Sequence, residues 1–241
     1  MSIPKIYGFN KTSEAGVKVF APSVFIQGCN LQCPFCFNSV LAKSQMKKED
    51  EVPLSKVDNF IKDHKPEMIM ISGGEPLMLK NLEDLVDHFR IQRLKIGLST
   101  HGIFSDRLFD LLPKLDYVAL DVKSSNHETY KFLDLINDNN SFAKVKTSHQ
   151  YIRDHKAMMG YKFDYEVRTT LYPPYVNMQT IHDLGQIMNK KERWVLQQYR
   201  PTKKLYDMKV TKGVEPYDWD TLQEMLAVAR TYTKEAHLRY V

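Results

Sequence analysis

The stretch "GCNLQCPFCFN", Gly28 to Asn38, holds Cys29, Cys33 and Cys36, which are all the cysteines in 241 residues. An odd, tightly grouped set makes no disulfide framework, and close-set thiols in a reducing compartment more often bind metal. The group therefore reads as a ligand set. With three residues between Cys29 and Cys33 and two between Cys33 and Cys36, one short loop can present three thiolates to a corner of an iron-sulfur cube. The fourth iron is then left without a protein ligand and open to coordination. A structural zinc site competes with this reading, but it is closed by four ligands, and the nearest histidine in sequence is the distant His64. Three buried free cysteines are the remaining alternative.

Around this loop the chain is 43% hydrophobic and carries 34 Lys+Arg against 29 Asp+Glu, a formal net charge of +5. That apolar content suffices for a real core, and one domain over residues 1–241 is the simplest organisation. The charges fall in mixed runs such as "KKED" and "KKER", which are solvated faces, so nucleic acid is not implied. The opening "MSIPKIYGFN" has no basic region leading into an apolar run, and nowhere do about 18 consecutive apolar residues occur. A soluble, cytoplasmic protein without membrane attachment is expected.

Apolar, β-branched runs alternate with segments of helical period along the chain, the pattern of βα units and a parallel sheet. The expected strands are "VFAPSVFIQ", "MIMISGG", "KIGLST", "YVALDVK", "DYEVRTTLY", "RWVLQQY" and a final "LRYV". Helices are expected at "PLSKVDNFIKDH", "LEDLVDHFR" and "TIHDLGQIM", each with apolar residues on one side. In the connection from Ser124 to Asp164, "HETYKFLDLI" and "SFAKVKTSHQYIRDHK" each read as a helix. About six βα repeats result, fewer than the eight of a closed barrel. In such sheets functional atoms gather at the carboxyl ends of the strands, and that is where "GCNLQCPFC", "SGGEP", "STHG", "DVK", "RTT" and "QQYRP" fall.

The cysteine spacing, with the aromatic Phe35 before the third cysteine, resembles the signature of the radical S-adenosylmethionine (SAM) enzymes. The resemblance implies an α/β fold of the open, partial parallel (β/α)6 barrel type. It also implies a 4Fe-4S cluster on Cys29, Cys33 and Cys36. SAM's amino and carboxylate groups would chelate the fourth iron, and reductive cleavage would yield a 5′-deoxyadenosyl radical. "ISGGEP" is similar to the family's second motif.

A closer resemblance runs from "GFNKTSEAG" through "VFIQGCNLQCPFCFN", "ISGGEPLM", "ALDVK" and "EVRTTLYP" to "WVLQQYRP". It is to the activating proteins of glycyl radical enzymes, above all those of anaerobic ribonucleotide reductase, and next to pyruvate formate-lyase activating enzymes. This implies abstraction of hydrogen from a backbone glycine of a partner protein, with a flavodoxin- or ferredoxin-type electron donor. Carried over residue by residue, Phe35 lies near the adenine, and Gly73, Gly74 and Glu75 meet the methionine amino end. Ser99 and Thr100 join the cofactor wall, and Arg168 pairs with the SAM carboxylate or makes a structural ion pair. Asp121 and Lys123 contact SAM or a cation, or only each other. Gln197, Gln198 and Arg200 are substrate-side candidates.

The chain departs from that pattern at Ser99-Thr100-His101-Gly102, where relatives commonly carry Asp-Thr-Asn-Gly, and at Phe37, where a histidine is frequent. The lost carboxylate weakens the case for a cation beside SAM, and Phe37 cannot hydrogen-bond to a cluster. His101 is either satisfied within its turn or engaged in proton transfer or substrate contact. Two other readings stay open: a small-molecule enzyme like the 7-carboxy-7-deazaguanine synthases, and a non-catalytic iron-sulfur or zinc module. Protein prepared without oxygen is expected to carry about four irons per chain, seen by iron and sulfide analysis with electron paramagnetic resonance. Replacing all three cysteines with alanine should remove them, and stoichiometric zinc would overturn the reading.

Overall fold

The computed structural model describes residues 3–13, 17–136, 140–202 and 204–240. Glu14 to Gly16 of the "GFNKTSEAG" stretch, Asn137 to Asn139 in the long connection, and Val241 of "LRYV" lie outside the described residues.

The alternating runs form one eight-stranded sheet in sequential order. Its strands are β1 Gly8–Asn10, β2 Ser23–Ile26, β3 Met68–Gly73, β4 Lys95–Thr100, β5 Tyr117–Asp121, β6 Asp164–Leu171, β7 Trp194–Gln198 and β8 Ala236–Arg239. β1 runs antiparallel to β2, and every later pair is parallel. Among the described residues no ladder joins β8 to β1, so the barrel is open. Met68 to Ile71 of β3 and Ile96 to Thr100 of β4 are buried without a break. Such strands are covered on both faces, and therefore read as continuous apolar runs and not as alternating ones.

Helices lie between the strands: α1 Ser39–Ala42, α2 Leu54–His64, α3 Leu82–Ile91, α4 Ser105–Leu111, α5 His127–Leu133, α6 Ser141–Met159, α7 Met178–Gly185 and α8 Trp219–Tyr232. α2 buries Val57, Phe60 and Ile61, and α3 buries Leu82, Leu85, Val86 and Phe89, the i, i+3, i+4 stripe that an amphipathic helix presents to a sheet. The side chain of Asn177 caps α7 by accepting from the Thr180 N–H, while Gly185 ends the helix before Ile187. The Ser124 to Asp164 connection contains α5 and α6, as its pattern suggests. β8 adds a seventh parallel strand to the six expected repeats and starts two residues before "LRYV". β1, α1 and α4 had no expected counterpart. Among the described residues no helix is long and apolar enough to cross a membrane.

Inside the curve of the sheet, Ala21, Met68, Met70, Tyr117 and Ala119 fill the end nearest the strand starts. Deeper on that face Glu166 of β6 is fully buried and receives both terminal nitrogens of Arg239 from β8 at 2.8 Å and the Nε of Arg168. One carboxylate thus joins β6 to a strand two places away. Burial alone would raise the pKa of Glu166, but Arg239 and Arg168 outweigh it and hold the carboxyl down to about 2. A depressed carboxyl adds stability above its unfolded pKa of about 4.5, and the gain is lost as pH falls through about 2. Glu166→Gln is therefore expected to destabilise the fold by about 3–5 kcal/mol at neutral pH, because two guanidinium groups lose their buried counter-charge. Denaturant titrations should show the variant's deficit shrinking between pH 4.5 and 2. An unchanged melting curve at neutral pH would count against this account.

Candidate functional site

The loops that leave β2 to β7 at their carboxyl ends enclose one cavity of about 320 Å³. Cys29, Cys33, Phe35, Cys36 and Phe37 line it from the first loop, Gly73, Gly74 and Glu75 from the second, and Ser99, Thr100 and His101 from the third. Asp121 and Lys123, then Arg168 and Thr170, then Gln197 and Gln198 complete the wall. Apart from Arg200, every candidate from the sequence borders this one space.

The cysteine loop is held from both sides. On one side Gln32 N–H donates to the Leu133 carbonyl and Leu135 N–H to the Asn30 carbonyl, both at 2.8 Å, forming an antiparallel bridge between Leu31 and Asp134. On the other, Tyr206 N–H donates to the Cys36 carbonyl and Asp207 N–H to the Pro34 carbonyl. Cys36 N–H closes a turn onto the Cys33 carbonyl, and Leu31 N–H donates to Cys29 Sγ at 3.4 Å. Burial pushes all three thiols up, Cys33 to about 12, while the Lys123 ammonium opposes that rise at Cys33 and Cys36. Thiols that ionise reluctantly alone become thiolates once metal binds, and Lys123 offsets part of the resulting negative charge. Among the described residues no three thiol, imidazole or carboxyl groups stand close enough for a single metal ion. A cubane takes each thiolate at a different iron and so needs them farther apart than one zinc does. Three free cysteines on one cavity with a cation beside them thus fit a cluster with three protein ligands.

Gly73 and Gly74 bring the second loop against the first. Gly74 N–H donates to the Ile26 carbonyl at 2.9 Å and Glu75 N–H to the Gly28 carbonyl at 2.7 Å. A Cβ on Gly73 would stand 2.3 Å from the Ile26 oxygen, and one on Gly74 would stand 2.1 Å from the Gly28 oxygen. Gly73 also has φ +113°, a conformation open to glycine and costly for other residues. Within the fold, the backbone that these glycines clear space for is the chain's own.

Glu75 is 1% exposed. Its Oε1 accepts from Leu77 N–H (3.0 Å) and Thr100 Oγ1 (2.7 Å), and its Oε2 from His101 N–H (2.9 Å), with His101 Nε2 at 3.1 Å. A carboxylate has about four acceptor positions, so the protein itself fills them. Burial nevertheless pushes its pKa up to about 7. The same burial, with the Lys123 charge, drives His101 down to about 3 and keeps the ring neutral. The ring of His101 has partners at both nitrogens, Ile103 N–H within its own turn and Asn30 and Glu75 on two neighbouring loops.

Lys123 Nζ lies 3.5 Å from Asp121 Oδ2, and Arg168 pairs with Glu166, so the simpler ion-pair alternatives for these residues are present while both still border the cavity. Phe35 is buried against Tyr172, with ring centroids 4.8 Å apart. Sequence reasoning missed three residues: Asn30, Asp134, and Asn38, whose amide donates to the Gly73 carbonyl at 3.3 Å. Asn30 follows Cys29 and Asn38 lies two residues past Cys36, a signal available in the sequence, but Asp134 carries none.

A family model described as the radical SAM superfamily matches residues 23–189. The chain is 23% identical over 222 residues to a Methanocaldococcus jannaschii protein provisionally named as a glycyl-radical enzyme activating enzyme, covering 90% of this chain and 88% of that one. A 7-carboxy-7-deazaguanine synthase of Aquifex aeolicus is 35% identical over 89 residues, 36% of this chain and 39% of that enzyme. Among solved structures, a domain of a pyruvate-formate lyase-activating enzyme from Bacteroides vulgatus has a similar fold, with TM-score 0.51 and 16% identity over 71% of this chain and 98% of that one.

The glycine geometry yields a test. Gly74→Ala must push the cysteine loop off the second loop, because the obstructing atoms are backbone and cannot rotate away. The variant should fold, as judged by circular dichroism, yet take up less than about a tenth of the wild-type iron on reconstitution, the scale at which loss of ligand support acts. Full iron uptake would show that the close approach is dispensable.

Proposed function

Because the chain belongs to the radical SAM superfamily, whose cofactors are a 4Fe-4S cluster and SAM, we propose that it activates a glycyl radical enzyme by taking a hydrogen atom from a backbone glycine of that partner. Together the two cofactors supply reductive cleavage of SAM, and with it the power to abstract hydrogen from an unactivated carbon. The protein's part is to bind, orient and exclude water. Cys29, Cys33 and Cys36 would hold the cluster, and the Gly73-Gly74-Glu75 turn, kept rigid by Thr100 and His101, would meet SAM's amino end. Arg168 would offer its planar fork to SAM's carboxylate, braced from behind by Glu166. Phe35 would pack near the adenine, Ser99 would border it, and Asp121 with Lys123 would stand at the rim, where Lys123 offsets thiolate charge. Gln197 and Gln198 would face the incoming peptide. An electron donor of flavodoxin or ferredoxin type completes the proposed set of partners, with anaerobic ribonucleotide reductase as the first candidate substrate.

The observation that carries this reading is the apolar mouth. Phe37 lines the cavity yet is 47% exposed, and the two loops that carry it and the glycine turn also expose Val40, three residues after Phe37, and Met78, three residues after Glu75. An exposed aromatic side chain on the cavity wall, with further exposed apolar residues on the same loops, suits a protein partner better than a small molecule. Glycine suits the reaction because it has no side chain to hold its α-carbon away, and both flanking amides stabilise an α-radical.

A second reading, a small-molecule substrate, is favoured by the 35% identity to a 7-carboxy-7-deazaguanine synthase over 89 residues. Anaerobic incubation with a glycyl radical enzyme from the same genome, a strong reductant and SAM separates the two. The expected result is the doublet resonance of a glycyl radical on the partner. Stoichiometric 5′-deoxyadenosine driven by a small molecule, with no radical on any such partner, would replace the activase reading. Val40→Glu should raise the KM for the partner about tenfold, a loss of about 1.4 kcal/mol, without changing iron content.

A further inference from the structure

We propose that His101 is a positioning residue, whose imidazole ties the cysteine loop to the Gly73-Gly74-Glu75 turn and holds the loop in the shape that accepts the cluster. Ile103 N–H donates to Nδ1 of this ring at 3.2 Å, so Nδ1 is the acceptor and the single ring proton sits on Nε2. Nε2 lies 2.9 Å from Asn30 Oδ1 and 3.1 Å from Glu75 Oε2. One N–H is therefore shared between an acceptor on the cysteine loop and an acceptor on the turn after β3.

The line of bonds continues beyond the ring. Asn30 directs its Nδ2 to Asp134 Oδ1 at 3.2 Å, which fixes the amide with its oxygen toward His101. Asp134 also receives Ile136 N–H at 3.0 Å and the hydroxyl of Ser141, so the chain of donors is anchored at the start of α6. Asn30, Glu75, His101, Asp134 and Ser141 are all buried. A buried network with each member satisfied holds its parts in one arrangement, since breaking any bond strands a polar group away from water. Asn30 follows Cys29 directly, so the orientation of its amide limits where the first ligand can point. His101 touches neither substrate nor reacting atoms in this account.

The inference rests on the cysteine loop being the cluster site and not on the choice of partner, and iron retention tests it independently of activation. The readout is the rate at which a chelator strips iron from the reconstituted protein without oxygen, together with the resonance line shape of the reduced cluster. His101→Phe keeps the ring's bulk but supplies no donor, and Asn30→Ala removes the acceptor on the loop. Both are expected to lose iron about tenfold or more faster than wild type, the usual scale for removing support behind a metal ligand. His101→Gln, which can donate to both acceptors, should restore slow loss and the wild-type line shape, and the His101→Phe, Asn30→Ala double variant should be little worse than either single one. Wild-type retention in folded His101→Phe would overturn the proposal. So would a Gln variant as leaky as the Phe variant. Should His101→Phe not fold, Asn30→Ala decides: rapid loss supports the clamp, and wild-type retention overturns it.

Discussion

The site depends on two backbone hydrogen bonds made where side chains cannot fit. β2 and β3 pair side by side, and their pairing continues past the strand ends through Gly74 N–H to Ile26 and Glu75 N–H to Gly28. This lays the cysteine loop directly on the turn that follows β3. Once the loop and turn are in register, Glu75 is buried at their junction and gathers Leu77, Thr100 and His101 around one carboxylate. The third loop is thereby fixed to the second, and through Asn30 to the first.

The same logic explains why so much of the fold was legible in the sequence. Parallel strands buried on both faces must be apolar along their length, so "MIMISGG", "KIGLST" and "YVALDVK" stand out as runs bounded by polar turns. α2 and α3 show their buried stripe because each has one wet face. β1 has three residues and pairs on one edge only, so "GFN" carries neither a run nor a period. α4 is barely two turns and ends on Leu111, directly before the Leu112-Pro113 pair, too short for a stripe to accumulate.

For the site, the sequence showed which loops converge but not what each side chain would meet. Every candidate on β2 to β6 borders one cavity because carboxyl-end loops of adjacent parallel strands must be neighbours. Partnerships across the chain are a different matter. Asn30 and Asp134 are 104 residues apart, and no local pattern links them. The reason for Gly73 and Gly74 was also hidden, since the atoms that exclude a Cβ belong to Ile26 and Gly28, which become close only when two strands pair.

The sequential strand order has a mechanical consequence. The cavity's walls run from the loop after β2 to Gln197 and Gln198 on β7, and five parallel pairings separate those strands. Since no ladder closes β8 onto β1 among the described residues, the sheet behaves as a fan pinned at neither outer rib. The gap between the first and last walls is then set by the sum of five strand-to-strand twist angles, so small changes of twist at each joint add up across it. Glu166 lies against this compliance. By fastening β6 to β8 with Arg239, it stiffens the far ribs, as Glu75 and His101 stiffen the near ones, and leaves the adjustment to the joints between β4 and β6.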